Sequence, residues 1–307
     1  MTDVVRVAVL GCGAIGSLYA AHLARVADVE VWAVDPWAEH VAAIEASGLR
    51  VVGHADFVSP VRAVTDAHDL PRCDFAMVAT KALHTGDAVA AAAHALGDAA
   101  VVSLQNGLGN EEQIAQLLPR VIRGSIITAG HVPEPGVVSY DAPGDSWFGP
   151  FEPSPARADE IASLARLLTD GGLRTFALDD ARGPQWTKVV FNAATSPLAA
   201  LTGLSVGQVC THAELRREVE RLIDEALAVC EASGIDLVSD PRESVQEAID
   251  GAFWHKPSML QDVLARRRTE IEVLNGGIAT EGRRAGVPTP AHDAMVALVH
   301  GLESSWT

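Results

Sequence analysis

The N-terminal strand–turn–helix pattern constrains the fold of this chain more than any other feature. Residues 4–10 are almost all apolar and predict a buried strand, which runs directly into Gly-Cys-Gly-Ala-Ile-Gly at residues 11–16. In such a turn the first glycine permits the tight bend, the second lets the backbone approach a pyrophosphate, and the third lets the next helix pack closely. The first N–H groups of that helix then face the phosphates. An ordinary glycine-rich turn without a ligand is the alternative. The residues assigned to the nucleotide are Gly11, Gly13, Ala14, Ile15 and Gly16.

The residue at the end of the second predicted strand indicates the cofactor. Residues 29–34 form that strand, and Asp35 follows it. A carboxylate at this place accepts hydrogen bonds from the adenine ribose hydroxyls and repels a 2′-phosphate. No arginine or lysine occurs between Arg25 and Arg50. The sequence therefore favours NAD(H), with NADP(H) as the alternative cofactor and a solvated loop carboxylate as the alternative role for Asp35.

Length and composition exclude several classes of protein. The 307 residues and the hydrophobic content of 48% predict two domains, which we place at residues 1–180 and 181–307. The net charge of −17 repels phosphate backbones and anionic membranes, so we expect neither a nucleic-acid nor a membrane partner. The cysteines are scattered without metal-ligand spacing, which predicts free thiols and no metal. We expect no targeting segment or membrane span, and therefore a cytoplasmic protein, which we take to be a homodimer.

Two kinds of pattern divide the chain. The first half alternates strands and helices and predicts a doubly wound α/β sheet, whose ligands lie at the carboxyl ends of the strands. Lys81 and Asn106 follow two such strands, at residues 73–80 and 100–104, so both are candidate site residues. From Pro184 helical periodicity predicts an all-helical second domain. Its predicted helices cover residues 186–201, 212–232, 245–253 and 260–285, with a last helix that ends near residue 302.

A polar stripe interrupts the first helix of the second half. Lys188, Asn192 and Ser196 are spaced i, i+4 and i+8, so they share one face of a helix whose other residues are mostly apolar. A buried lysine is costly unless it is paired or used in chemistry. The stripe therefore predicts a functional lysine with two neutral polar neighbours. A partly exposed lysine at a helix start is the alternative.

Two further polar residues belong to the predicted helix 260–285 and its approach. Ser258 precedes this helix, where it is either a ligand contact or a helix cap. Glu270 falls in mid-helix close to three arginines, where a solvated helix face is the alternative to a role in a site. The sequence does not distinguish Glu270 from its neighbour Glu272.

A series of short motifs runs along the chain: the glycine turn, Thr80-Lys81-Ala82, Gln105-Asn106-Gly107, Lys188 with Asn192, Ser258-Met259 with Asp262, Thr269-Glu270-Ile271, and Gly286 to Pro290. These motifs, in this order, resemble the ketopantoate reductases (2-dehydropantoate 2-reductases). The resemblance implies a Rossmann domain and a helical domain like that of the 6-phosphogluconate dehydrogenases. It implies that Lys188 is the catalytic lysine and that Asn106 helps to place nicotinamide and substrate. It also implies that Asn192, Ser258 and Glu270 line the substrate site. In the mechanism that we expect, Glu270 orients Lys188 or accepts a hydrogen bond from a substrate hydroxyl.

Three residues depart from the family pattern. Asp35 stands where many members carry an arginine for NADP, Ser196 where many carry a second asparagine, and His255 where many carry an asparagine before the Ser-Met motif. Serine has a shorter reach and fewer donors than asparagine, so these changes predict a weaker hold on pantoate hydroxyls. We therefore expect 2-oxo acids with apolar or aromatic side chains to be better substrates than ketopantoate. The apolar residues beside this motif are Phe253, Trp254 and Met259.

The residues together predict reversible hydride transfer between NAD(P)H and a 2-oxo acid. A lysine ammonium can stabilise the developing alkoxide and donate its proton, and the nicotinamide carries the hydride without a metal. One alternative is a dehydrogenase of another 2-hydroxy acid or secondary alcohol. Another is a nucleotide-sensing regulator, which would need the glycine turn but neither Lys188 nor Glu270.

Overall fold

The computed structural model describes residues 4–306, which form two compact units. The sequence predicts a single boundary and does not anticipate that the short segment 106–109 leaves the first unit and belongs to the second. Asn106 is therefore a residue of the helical unit, although it follows a strand of the first. The first unit comprises residues 4–105 and 110–181, and the second comprises residues 106–109 and 182–306.

The first unit contains an eight-stranded sheet and a separate four-stranded sheet. Most of its helices connect parallel strands of the larger sheet, as the alternating pattern predicts. The strands are β1 Val5–Leu10, β2 Val29–Val34, β3 Leu49–Gly53, β4 Phe57–Ser59, β5 Arg62–Val64, β6 Phe75–Val78, β7 Ala100–Ser103, β8 Val121–Ile126, β9 Ala129–Glu134, β10 Val137–Ala142, β11 Ser146–Pro150 and β12 Thr175–Ala177. The helices are α1 Ala14–Leu23, α2 Ala38–Ser47, α3 Thr85–Leu96, α4 Asn110–Ala115 and α5 Ala158–Asp170.

The larger sheet has the strand order β12-β11-β8-β7-β6-β1-β2-β5. The strands from β8 to β5 pair in parallel, while β11 runs antiparallel to β8. Strand order reverses at β1, because β2 lies on one side of it and β6 on the other. Ligands of doubly wound sheets bind outside the carboxyl ends of the strands at such a switch point. The topology therefore brings the glycine turn, which follows β1, to the expected ligand edge.

The sheet is covered on both faces, because alternate residues of β1 point into different cores. Val7 and Val9 pack in one apolar cluster, which includes Leu18 of α1 and Leu164 of α5. Ala8 and Leu10 pack in the other, with side chains of α3 and α4. A strand that is buried on both faces is apolar at nearly every position instead of at every second one, and residues 4–10 show this pattern. The predicted doubly wound α/β class is confirmed.

The four-stranded sheet, in the order β4-β3-β10-β9, was not predicted. The sequence predicts one strand over residues 57–63, and this is wrong. Ser59 ends β4, which pairs with β3 in the small sheet, while Arg62 begins β5, which pairs with β2 in the large one. Strand propensity alone does not say which partner a short strand will find, since pairing depends on residues far away in the chain.

The second unit is helical and packs around its first helix, Arg182–Thr202. Its apolar core gathers buried side chains from several helices, among them Val190, Val219 and Val299. No helix of residues 4–306 is long and apolar enough to cross a membrane, and no group of three or more potential ligands within them is arranged to hold a metal ion. The helices are α6 Arg182–Thr202, α7 Val206–Thr211, α8 Ala213–Ala232, α9 Pro241–Gly251, α10 Ser258–Leu264, α11 Asn275–Ala285 and α12 Pro290–Ser304.

The single long helix predicted over residues 260–285 is wrong, because residues 265–274 are irregular. Arg266, with φ of 50°, is in the left-handed region and ends α10. Arg267 then closes the turn, with its N–H 2.8 Å from the Asp262 carbonyl oxygen and its guanidinium on the Asp262 carboxylate. The apolar periodicity of this stretch reflects burial on one side and not a continuous helix.

Candidate active site

Close backbone approaches shape the glycine turn at the carboxyl end of β1. Gly11 has φ of 93°, which favours glycine, and a Cβ there would lie 2.7 Å from the Thr80 amide nitrogen. A Cβ on Gly16 would lie 1.8 Å from the Gly11 carbonyl oxygen, so only glycine fits. A Cβ on Gly13 would meet no atom of the described residues within 4 Å. The first and third glycines are required by the fold, while the second leaves room beside the backbone.

The first turn of α1 offers unused backbone donors. Gly13 is the N-cap residue, and no side chain caps the helix. The first backbone N–H to bond within the helix is that of Ser17, 2.9 Å from the Gly13 carbonyl oxygen. The N–H groups of Ala14 and Ile15 precede it and can donate to an anion, with the positive end of the helix dipole behind them. The turn therefore fits a dinucleotide pyrophosphate.

Asp35 lies against the glycine turn. β2 pairs in register with β1, and the Asp35 carboxylate accepts the Cys12 N–H at 2.7 Å and the Trp37 N–H at 2.9 Å. Each carboxylate oxygen keeps a further lone pair for a ribose hydroxyl. The nearby His40 is buried, which lowers its pKa against the opposing effect of the Asp35 charge. His40 is thus neutral at pH 7, and the negative charge of Asp35 is not offset by it.

A buried glutamine joins the carboxyl ends of β6 and β7. Gln105 donates through Nε2 to the Thr80 carbonyl oxygen at 2.9 Å and to Thr85 Oγ1 at 2.8 Å. Gly11 also closely approaches the backbone of Thr80. Gln105 therefore holds the segment that carries Lys81 beside the glycine turn. Lys81 precedes a single 3-10 turn, and its carbonyl oxygen accepts the His84 N–H at 2.9 Å.

In the helical unit, Lys188 of α6 meets Asn106. The Lys188 Nζ donates to Asn106 Oδ1 at 2.6 Å, and Glu270 acts on the same ammonium through its charge. Burial lowers the pKa of Lys188 to about 8, and the Glu270 carboxylate opposes this by favouring the charged form. The lysine is therefore protonated at pH 7 but gives up its proton far more readily than a solvated lysine. Such a group can donate a hydrogen bond and then a proton to a developing oxyanion.

Segment 106–109 is fastened to the turn that precedes α11. Gly107 has φ of 86°, and a Cβ there would lie 2.4 Å from the Val273 carbonyl oxygen. That oxygen accepts the Leu108 N–H at 2.7 Å, and Gln185 Nε2 is 3.4 Å from the Gly107 carbonyl oxygen. These bonds place Asn106 beside Lys188, although the two are 82 residues apart in the chain.

The irregular stretch 265–274 presents Glu270 and not Glu272 to this cluster. Glu270 is 9% exposed, whereas Glu272 is exposed and lies 3.1 Å from His300. Thr269 anchors the stretch, since its N–H and its hydroxyl both donate to Glu303 Oε1, at 2.8 and 2.7 Å. The expectation that Glu270 lies in mid-helix is wrong, and the solvated-face alternative is wrong for Glu270. Both corrections arise from this tertiary anchor.

The rest of the polar stripe lies on α6 as the spacing predicts. Asn192 is half-buried and Ser196 is 4% exposed. Ser258 is exposed and is the first residue of α10, whose N-cap residue is Pro257, so the capping alternative is wrong. His255 is exposed, and its carbonyl oxygen accepts the Val206 N–H at 3.0 Å. The structure places Lys188, Asn106 and Glu270 together, and the contacts of the described residues do not include His255 or Ser258 in that cluster.

Of the three apolar residues near the Ser-Met motif, only Trp254 offers an open face. Met259 is 2% exposed and belongs to the core, while Phe253 packs on α7, where a Cβ on Gly207 would meet its ring at 2.4 Å. Trp254 is 74% exposed and meets the Phe253 ring edge to face at 4.9 Å. Trp254 therefore has an open ring face, whereas Met259 has none.

Two family models together match most of the chain. The ketopantoate reductase PanE/ApbA model matches residues 7–153, and the model of the ketopantoate reductase PanE/ApbA C terminal matches residues 180–303. The chain belongs to the ketopantoate reductase family. The predicted membership is confirmed, and the family is one of oxidoreductases. A 2-dehydropantoate 2-reductase of Archaeoglobus fulgidus is 31% identical over 299 residues, which cover 97% of this chain and 98% of the relative.

Solved structures of ketopantoate reductases and of a related dehydrogenase share this fold. A PanE/ApbA family ketopantoate reductase from Ralstonia eutropha JMP134 is 30% identical, with a TM-score of 0.88 over 98% of this chain and 99% of that one. A D-mandelate dehydrogenase, solved with NADH and anilino(oxo)acetate, is 26% identical, with a TM-score of 0.87 over 98% of this chain and 99% of that one. The family fold thus occurs in enzymes named for different substrates.

Some residues that shape this candidate site could not be predicted from the sequence. Gln105 and Gln185 position segments on either side of Asn106 through hydrogen bonds to distant backbone atoms. Glutamine carries no signal of its own, since its role depends on where its amide reaches. The Gln105-Asn106-Gly107 motif was the one available pointer to the first of them.

Proposed function

We propose that this chain catalyses the reversible reduction of a 2-oxo acid to a 2-hydroxy acid with a nicotinamide dinucleotide. The observation that carries the proposal is the Lys188 ammonium, with its pKa lowered to about 8 and with Asn106 and Glu270 as its partners. A nucleotide-sensing regulator would have no use for this cluster. We place the nucleotide domain at residues 1–180 without the segment 106–109, and the substrate domain at residues 181–307 with that segment. A homodimer in the cytoplasm is part of the same proposal.

Lys188 performs the proton chemistry in this proposal. A reduced nicotinamide, held at the glycine turn and Asp35, supplies the hydride when bound. The Lys188 ammonium hydrogen-bonds the keto oxygen, stabilises the negative charge that develops on it and donates the proton that makes the hydroxyl. Asn106 holds the ammonium in place through Oδ1, and Glu270 keeps it charged. Asn192 and Ser196 are neutral groups on the same face of α6 and would bind the substrate's oxygens.

The cofactor should be NAD(H), because Asp35 would repel a 2′-phosphate. We expect NADPH to bind at least about tenfold more weakly than NADH, since a like charge at close range is costly. Asp35→Asn should narrow this difference, while Asp56→Asn, at an exposed carboxylate of the same unit, should not. Fluorescence titration of both reduced cofactors measures it. A clear preference of the unaltered protein for NADPH would overturn the assignment of Asp35.

The substrate should be a 2-oxo acid with an apolar or aromatic side chain. Support comes from Trp254, which is 74% exposed, from Ser196 in place of an amide, and from the dehydrogenase of similar fold solved with anilino(oxo)acetate. A dehydrogenase of another 2-hydroxy acid is therefore favoured over a dedicated ketopantoate reductase. A panel of 2-oxo acids with both reduced cofactors tests the proposed function, read as loss of reduced-nicotinamide absorbance.

We expect kcat/KM for 2-oxo-2-phenylacetate to exceed that for ketopantoate. Trp254→Ala should lower the aromatic value about tenfold and change the ketopantoate value little, because the indole contributes contact area to an apolar ring. Trp306→Ala, at a half-buried tryptophan of the same unit, serves as the control. If kcat/KM for ketopantoate were instead higher by orders of magnitude, the departures at residues 196 and 255 would have no effect on the choice of substrate. If the protein reduced none of the 2-oxo acids, the proposed function itself would be wrong.

A further inference from the structure

The helix that carries Lys188 has a proline inside it. Pro197 lies within α6 and has no N–H, so it cannot donate to the carbonyl oxygen of Ala193, four residues earlier. Ala193 is fully buried, and a buried carbonyl without a partner is costly. This oxygen lies next to Asn192, in the middle of the polar stripe. It therefore needs a donor from outside the helix.

Asn275 is that donor. Its Nδ2 lies 3.0 Å from the Ala193 carbonyl oxygen and 3.1 Å from His292 Nδ1, and the side chains of Asn275 and His292 are fully buried. His292 Nε2 is 2.9 Å from the Leu222 carbonyl oxygen, which can only accept, so Nε2 carries the proton and Nδ1 accepts. Both hydrogens of the Asn275 amide are then used, and the amide has one orientation.

The same residue ends the turn that carries Glu270. Asn275 is the first residue of α11, and the backbone before and after it closes on the Glu270 stretch. The Leu274 N–H donates to the Glu270 carbonyl oxygen at 3.2 Å, and the Gly276 N–H to that of Ile271 at 3.1 Å. Through the Ala193 bond, the position of this turn is tied to α6. The two sides of the Lys188–Glu270 interaction are thus joined by one buried amide.

We propose that Asn275 is a positioning residue, which holds the Glu270 turn at a fixed place relative to α6 and so sets the distance between Glu270 and Lys188. Asn275 acts through these residues and not on the substrate. The inference rests on the proposed function of Lys188. It predicts that the amide does more than satisfy the orphaned carbonyl. Those two roles can be separated, because substitution of Pro197 supplies the missing N–H without restoring the link to the turn.

The test compares Asn275→Leu, Pro197→Ala and the double variant. Asn275→Leu should lower the urea midpoint, lower kcat about tenfold and move the basic limb of kcat/KM for reduction, expected near pH 8 in the unaltered protein, to lower pH, with the affinity for reduced cofactor unchanged. The double variant should recover part of the lost urea midpoint, since the residue 197 N–H now bonds to the Ala193 carbonyl oxygen while His292 Nδ1 still lacks its donor, but it should keep the displaced basic limb. Pro197→Ala alone controls for a change in the helix.

The outcomes separate the two roles. A basic limb that stays in place in Asn275→Leu, or that returns together with the urea midpoint in the double variant, would show a structural role only and overturn the proposal. If Asn275→Leu alone fails to fold, the position of the basic limb in the double variant still tests the proposal. If the proposed function were wrong, the basic limb would still be present in Lys188→Ala. The urea midpoints of the Asn275 and Pro197 variants would in that case still measure the contribution of the Asn275–Ala193 hydrogen bond to stability.

Discussion

Lys188→Ala is expected to lower kcat by at least about a hundredfold and to leave the affinity for the reduced cofactor nearly unchanged. The variant removes the proton donor and the charge that stabilises the alkoxide, whereas the glycine turn and Asp35 lie in the other unit of the chain. Single-turnover reduction and a fluorescence titration of the cofactor measure the two quantities separately.

The matched control is Lys256→Ala, which removes an exposed lysine from the same unit. It should retain most of the turnover. If Lys188→Ala kept its activity within a few-fold of the unaltered protein, Lys188 would be a structural lysine and the proposed mechanism would be wrong.

Glu270→Gln is expected to move the basic limb of the reduction to lower pH by about one unit, because an opposite charge nearby raises a lysine pKa by that order. Reduction needs the protonated lysine, so its rate falls as pH rises through the Lys188 pKa of about 8. With that pKa one unit lower, the protonated fraction at pH 8 drops roughly fivefold. Oxidation of the 2-hydroxy acid needs the neutral lysine, so its rate should instead fall as pH decreases through the same value.

Glu272→Gln is the control, since Glu272 lies two residues away in the same stretch but is exposed. Its basic limb should stay near pH 8. Equal shifts in the two variants would mean that general electrostatics, and not the buried position of Glu270, sets the Lys188 pKa. That result would remove Glu270 from the mechanism.

Features with a local cause were predictable from the sequence. Gly11 and Gly16 could be assigned structural roles, because the turn demands a positive φ at one and a close approach at the other. The stripe of Lys188, Asn192 and Ser196 lies on one helix, because spacing of four residues is a property of any α-helix. The resemblance to the family added a further prediction, because it rests on the order of the motifs along the whole chain.

Features that depend on distant contacts were not predictable. Asp35 could be placed at the end of a strand, but the Cys12 N–H that holds its carboxylate could not. The irregular stretch around Glu270 was read as helix, since its apolar spacing fits a helix and the Thr269–Glu303 bonds that prevent one join residues 34 apart. Strands β9 and β10 were not predicted for a similar reason, because they pair with each other although each segment has only a weak strand pattern.

By itself, then, the sequence determined the doubly wound first unit, the helical second unit and the residues with donor, acceptor and charge suited to hydride transfer. Only the tertiary structure decided that Asn106 joins the helical unit, that the charge of the buried Glu270 acts on Lys188, and that Asn275 joins the supports of these two residues. The physical reason is the same in each case. Backbone conformation and periodicity are set by neighbours in the chain, whereas burial and the lowered pKa of Lys188 are set by whichever residues the fold brings around it.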